Sequence, residues 1–172
     1  MIFLDLINLQ KVRRALLHII CIVLALWLQT MVLSRVEIFG AKPFFLPAVI
    51  VAIGLWEGGV WGAVLGMLAG AYCDMCAADS RVLFLVLFTA YGFLSGLLAD
   101  YLINRRFVSY LLLTAIVLVF TGLCQIVPLW IFRGAALGAL LRTALLQALW
   151  ALPLAVPCYF IAKRIAGRER SR

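Results

Sequence analysis

Apolar runs separated by short polar clusters recur six times along this chain. Ala15–Ser34, Val82–Ala99, Phe107–Phe132 and Thr143–Ala162 contain no Asp, Glu, Lys or Arg. Gly58–Ala78 contains one, Asp74, and Pro43–Trp56 contains none but is only 14 residues long. An α-helix rises about 1.5 Å per residue, so roughly 20 apolar residues cross a hydrocarbon core of about 30 Å. Backbone groups left unpaired in lipid are too costly to survive, and the runs lack the two-residue alternation of barrel strands. The pattern therefore predicts an all-α integral membrane protein of six transmembrane helices in one compact bundle. The spans fall at about 15–34, 43–56, 59–78, 82–103, 107–132 and 140–162. Short connections make consecutive helices antiparallel neighbours. The second span is the short one: Pro43 and Pro47 suit a first helical turn, and 14 residues cross only where the bilayer thins.

Composition narrows this further. The spans consume most of the 172 residues, of which 67% are hydrophobic at a mean hydropathy of +1.16, so the whole of 1–172 reads as a single membrane domain. The net charge of +8 sits beside the apolar runs rather than on a basic face with interleaved aromatics, which argues against a nucleic-acid partner. With six spans, ten basic residues share one side: Lys11, Arg13, Arg14, Arg105, Arg106, Lys163, Arg164, Arg168, Arg170 and Arg172. Five lie on the other: Arg35, Lys42, Arg81, Arg133 and Arg142. This bias places both termini in the cytoplasm. The first run is too long for a signal-peptide core and no small-x-small site follows it, so it is expected to be a retained span.

Few residues in the spans could carry chemistry. Gly62, Gly66 and Gly70 recur every fourth residue, and Gly92 and Gly96 stand in the same relation. Such spacing lets helix backbones approach closely, either as ordinary packing or to shape a pocket or partner surface. Asp74 continues the first stripe near the outer end of its span. A carboxylate at membrane depth is a functional candidate by default; the plainer reading is a helix-end acid within reach of Arg81, Arg133 or Arg142. Asp100 lies at the opposite membrane face, too far for the roughly 5–10 Å of a hydrolytic dyad. Cys73-Asp-Met-Cys76 has too few companions for a zinc site, and the five cysteines (Cys21, Cys73, Cys76, Cys124, Cys158) read as small packing residues. His18 has no acidic partner in its own span and reads as a hydrogen-bonding residue. Gln29, Gln125 and Gln147 suit modest interhelical hydrogen bonds, Trp56 and Trp61 an interfacial aromatic belt, and Pro153 and Pro157 a kink. No catalytic residue, metal or cofactor is expected.

The order of these motifs resembles the rod shape-determining protein MreD family of bacterial cell-wall elongation. The first span ends in Leu28-Gln29-Thr30 and the outer loop in Phe39-Gly40-Ala41-Lys42-Pro43. The second span leads into Trp56-Glu57-Gly58-Gly59. Then come the glycine-spaced helix Gly62–Asp74, the segment Tyr91-Gly92-Phe93-Leu94-Ser95-Gly96, and Asn104-Arg105-Arg106. The similarity covers nearly the whole chain. It departs at Phe44, where the family often has an acid, and at Ala77–Arg81, where a Ser-Gly turn is common. The resemblance implies a non-catalytic scaffold in the cytoplasmic membrane, surrounded by membrane lipids. Its partners would be an MreC-like protein and, through it, MreB filaments and the peptidoglycan polymerase–transpeptidase pair. The alternative is a substrate-binding membrane subunit of an energy-coupling-factor vitamin transporter. Those subunits often carry an Ala-x-x-x-Ala contact in the first span, whereas here Ala15 and Ala25 stand ten apart.

Overall fold

The structure, a computed structural model, describes residues 9–33, 35, 43–76, 82–101, 107–133 and 137–167. Among them the chain forms six α-helices: α1 Leu9–Leu28, α2 Leu46–Glu57, α3 Gly59–Cys76, α4 Leu83–Tyr101, α5 Phe107–Arg133 and α6 Leu137–Gly167. A π-helical turn, Gln29–Leu33, continues α1. Five helices are long and apolar enough to cross a membrane, and α2 is not. At 12 residues α2 rises about 18 Å.

The second apolar run differs most from expectation. Its helix starts at Leu46 rather than Pro43; Pro43 lies in the non-helical segment before it, and Pro47 alone sits in the first turn. Ten of its 12 residues, Leu46 through Leu55, are buried, and none is exposed. A helix that is apolar all round belongs in a core. Here the core is made by the other five helices, each of which touches α2. Around it, α1 meets α3, α3 meets α4, α4 meets α5, α5 meets α6, and α6 meets α1. Five long helices thus form a ring whose hub is α2. The outward faces of the ring are apolar, with Ile20, Leu24, Leu68, Val86, Leu94, Leu112, Ile116 and Leu149 all exposed.

Two joints set the direction of the hub. At its start the Gln29 amide donates to the Pro43 carbonyl (2.9 Å) and accepts the Phe45 N–H (3.2 Å), so one side chain grips the backbone leading into α2. At its end Gly58 adopts φ +91°, a left-handed conformation that a side chain would strain, and α3 begins one residue later. The Gly58 N–H bonds the Gly54 carbonyl at 3.0 Å, and the Gly58 carbonyl receives the Gly62 N–H at 3.0 Å. These two bonds tie the turn to the end of α2 and to the start of α3.

The α5–α6 side is held differently. Buried Ala144, Ala148, Ala151, Ala155 and Ala162 form a small-residue stripe along α6 that the sequence reading passed over. The Tyr110 hydroxyl, fully buried, lies 3.1 Å from the Ala48 carbonyl and 3.0 Å from that of Ala155, linking α5 to both α2 and α6. α6 runs unbroken through Pro153 and Pro157, whose missing N–H groups leave the carbonyls of Leu149 and Pro153 without their helical donors. Gln125 and Gln147, half-buried, make no side-chain hydrogen bond among the described residues, so the helix links expected of them are supplied elsewhere.

Candidate functional site

The glycine stripes of α3 and α4 lie face to face. A Cβ added at Gly62 would stand 2.5 Å from the Gly92 carbonyl oxygen and 2.8 Å from the Gly54 Cα. One at Gly66 would press on the Phe88 carbonyl, and one at Gly70 would lie 2.5 Å from the Phe84 oxygen and 2.6 Å from the Leu85 Cα. From the other side, Gly92 abuts the Gly62 carbonyl and Gly96 the Gly58–Gly59 peptide. No side chain separates the two backbones at these points. Gly54, which the sequence reading did not select, brings α2 into the same junction against Ser95 and the Gly92 oxygen. Ser95 turns its hydroxyl onto that Gly92 carbonyl at 3.1 Å, so its buried polar group is satisfied within its own helix.

This close approach positions Asp74. Gly70, one turn earlier, lays α3 against the first turn of α4, and the Asp74 carboxylate then reaches the free N–H groups there. Oδ1 accepts the Phe84 N–H at 3.1 Å and Oδ2 the Leu85 N–H at 2.8 Å. The first four N–H groups of any helix lack internal partners, and an anion there also meets the positive end of the helix dipole. A residue just before the helix normally supplies the cap. Here Val82 holds that place with φ +59°, an uncommon backbone conformation for a β-branched residue, and its side chain has no acceptor to offer. α3 provides the cap in its stead. Of the basic partners expected for Asp74, Arg81 and the Arg133 side chain lie outside the described residues, and Arg142 is exposed on α6.

Around the same end, Phe44 packs on Phe84 and Phe88 at centroid distances of 5.3 and 6.0 Å, and Phe88 on Tyr91 at 6.4 Å. The position where the resembled family often has an acid is thus filled by a ring that holds the segment before α2 against α4. The thin contact between α4 and α5 is bridged by Thr121, whose hydroxyl is 3.0 Å from that of Tyr91.

A second polar contact lies at the far end of α2. His18 of α1, 1% exposed, has Nδ1 3.7 Å from Glu57 Oε1, whose side chain is 11% exposed. The first span holds no acidic partner for His18, as its sequence shows, and α2 supplies one across the helices. No spacing rule connects residues 18 and 57, so nothing in the sequence signalled the pair. Trp56 beside it does not face outward as a belt residue would. It is half-buried with its ring 5.9 Å from Tyr159, whereas Trp61 is exposed.

Asp74 and Asp100 sit at opposite ends of the α3–α4 hairpin, with about 22 Å of helical rise between Leu85 and Asp100. All five cysteines are free thiols, and among the described residues no three His, Cys, Asp or Glu side chains gather to hold a metal ion. What the arrangement does is fix helix against helix at three points: Gln29, Asp74 and the Gly54–Gly62–Gly92 junction. Comparison of the chain with protein-family models, with curated proteins and with solved structures returns no match.

Proposed function

We propose that this protein is a non-catalytic scaffold of the bacterial cell-wall elongation machinery, a multi-pass component of the cytoplasmic membrane that helps to maintain cell shape. The observation that carries the reading is the whole-chain order of MreD-like motifs, several of whose residues make the joints of the bundle. Gln29 and Pro43 meet at the start of α2, Gly62 and Gly92 meet across the α3–α4 seam, and Asp74 caps α4. A ring with apolar outward faces on a tightly joined frame suits a protein that works through lateral contacts with other membrane proteins. The partners in this reading are an MreC-like protein and, through it, MreB and the peptidoglycan polymerase–transpeptidase pair.

Both termini lie in the cytoplasm on this reading. α2 then counts as a sixth pass although, at 12 residues, it is shorter than the bilayer is thick. The ten-to-five distribution of basic residues supports that orientation. Reporter fusions at residue 79 and at the C-terminus are expected to report opposite compartments; matching compartments would overturn the six-pass arrangement. Depletion in a host that relies on the protein is expected to round or swell the cells while vitamin uptake stays normal. Unchanged morphology with a vitamin requirement would instead establish the transporter-subunit alternative.

A further inference from the structure

The end of the α5–α6 hairpin where α2 also terminates combines fixed aromatic rings with uncovered positive charge. Tyr159 is buried, with its ring 5.3 Å from Phe107, 5.2 Å from Tyr110 and 5.9 Å from Trp56. Phe160, 56% exposed, stacks on Phe107 at 5.9 Å with 24° between the planes. One turn beyond Tyr159, Lys163 Nζ stands 6.0 Å from that ring's centroid, within cation–π range, so its stem lies along the aromatic cluster. Lys163 and Arg164 are both exposed, and among the described residues no carboxylate pairs with either. The acid at this end of α4, Asp100, lies toward Gly58.

The stacking of Phe107 on Phe160 brings the start of α5 to the end of α6, two segments that border basic stretches of the sequence. Arg105-Arg106 directly precede Phe107, while Arg168, Arg170 and Arg172 follow Lys163-Arg164 with a single acid, Glu169, among them. Aromatic rings favour the headgroup level of a bilayer, and clustered Lys and Arg just beyond a span are attracted to anionic leaflets. From this we infer that the end of the α5–α6 hairpin is a binding surface for anionic phospholipid headgroups. Lys163 and Arg164 take the phosphate charge, and the Phe107–Phe160 stack lies along the upper acyl chain. The inference rests on the helices being membrane spans but not on any role in wall synthesis.

The test uses the purified full-length chain. Retention of phosphatidylglycerol and phosphatidylcholine is measured by native mass spectrometry after exchange into mixed lipid–detergent micelles. Wild-type protein is expected to retain phosphatidylglycerol preferentially. Each Lys or Arg near an anionic surface contributes roughly fivefold, so Lys163→Gln with Arg164→Gln should lower that preference by on the order of tenfold or more. Arg142→Gln, at the other end of α6, should leave it unchanged. Should the double variant not stay monodisperse, wild-type protein at high salt gives the same readout, because screening weakens the attraction. Equal retention of the two lipids, an undiminished preference in the double variant, or a preference unaffected by salt would overturn the inference. So would full displacement of phosphatidylglycerol by millimolar inorganic phosphate, which would mark a free-phosphate site. Since no cell is involved, failure here is distinct from a normal cell shape on depletion.

Discussion

The two hairpins that flank α2 are joined by different means. Between α3 and α4 the contact is backbone on backbone, with glycines from both helices and no side chain between them. Between α5 and α6 the Ala144 methyl meets Gly122, and Tyr110, Tyr159 and Phe107 lock the end. Both solutions suit a medium in which lipid competes equally for apolar surface and packing supplies the attraction. They differ in tolerance. A methyl can be exchanged for a neighbour of similar volume, whereas an added atom in a backbone seam displaces a helix. The first hairpin is accordingly a rigid frame, and the second is a side on which sequence can vary at lower cost.

The widest separation between the two should come from added bulk. Gly66→Leu places a branched side chain against the Phe88 carbonyl and is expected to cost at least the about 1–3 kcal/mol typical of overpacking, with loss of folded protein from the membrane fraction. Gly122→Ala on the other seam meets Ala144, its Cβ at 3.0 Å and its backbone at 3.6 Å and beyond, and should accumulate better than Gly66→Leu. Equal abundance of the two variants would erase the distinction drawn here.

Removing the cap probes the frame more gently. Asp74→Ala strips two acceptors from the first turn of α4 and should lower stability by about 1–2 kcal/mol, read as an earlier thermal midpoint in detergent. Asp74→Asn keeps one acceptor oxygen and should fall between that variant and wild type. If Asp74→Asn melts near wild type yet fails to complement a depleted strain, the acid has a task beyond capping.

On the α5–α6 side, Tyr110→Phe deletes the hydroxyl at Ala48 and Ala155 but keeps the ring, and about 0.6 kcal/mol is the usual value of a hydrogen bond between membrane helices. The smallest effect is expected at Gly138 of α6, where an added Cβ meets nothing within 4 Å. Gly138→Ala should accumulate at least as well as wild type, because alanine favours the helix.

How much of this could be read from residues alone depends on what kind of contact each one makes. The apolar runs disclosed the helices because length and hydropathy decide membrane insertion one segment at a time. Gly62, Gly66 and Gly70 stood out because their spacing matches the helical repeat. Gly54 did not, since a lone glycine in a short helix gains meaning only once α2 is known to touch both α3 and α4. Asp74 was visible as an acid in an apolar setting, yet its partners are main-chain N–H groups, which no residue type marks. Gln29 likewise grips backbone, and His18 meets its acid across helices. The central position of α2 was hidden for a similar reason: a run too short for the bilayer reads as a weak span, and only the surrounding helices turn it into a core.

The placement of α2 at the hub has a consequence for how the chain is made. Helices leave the ribosome in order, and α2 is the second to emerge, while the helices that cover it include the fourth, fifth and sixth. A 12-residue helix released alone into lipid would be mismatched to its thickness. Its insertion therefore depends on segments not yet synthesised, and enclosure is complete only when α6 arrives. A stop codon between α4 and α5 should be as damaging as one far earlier, because the truncated product keeps four helices but leaves its centre uncovered.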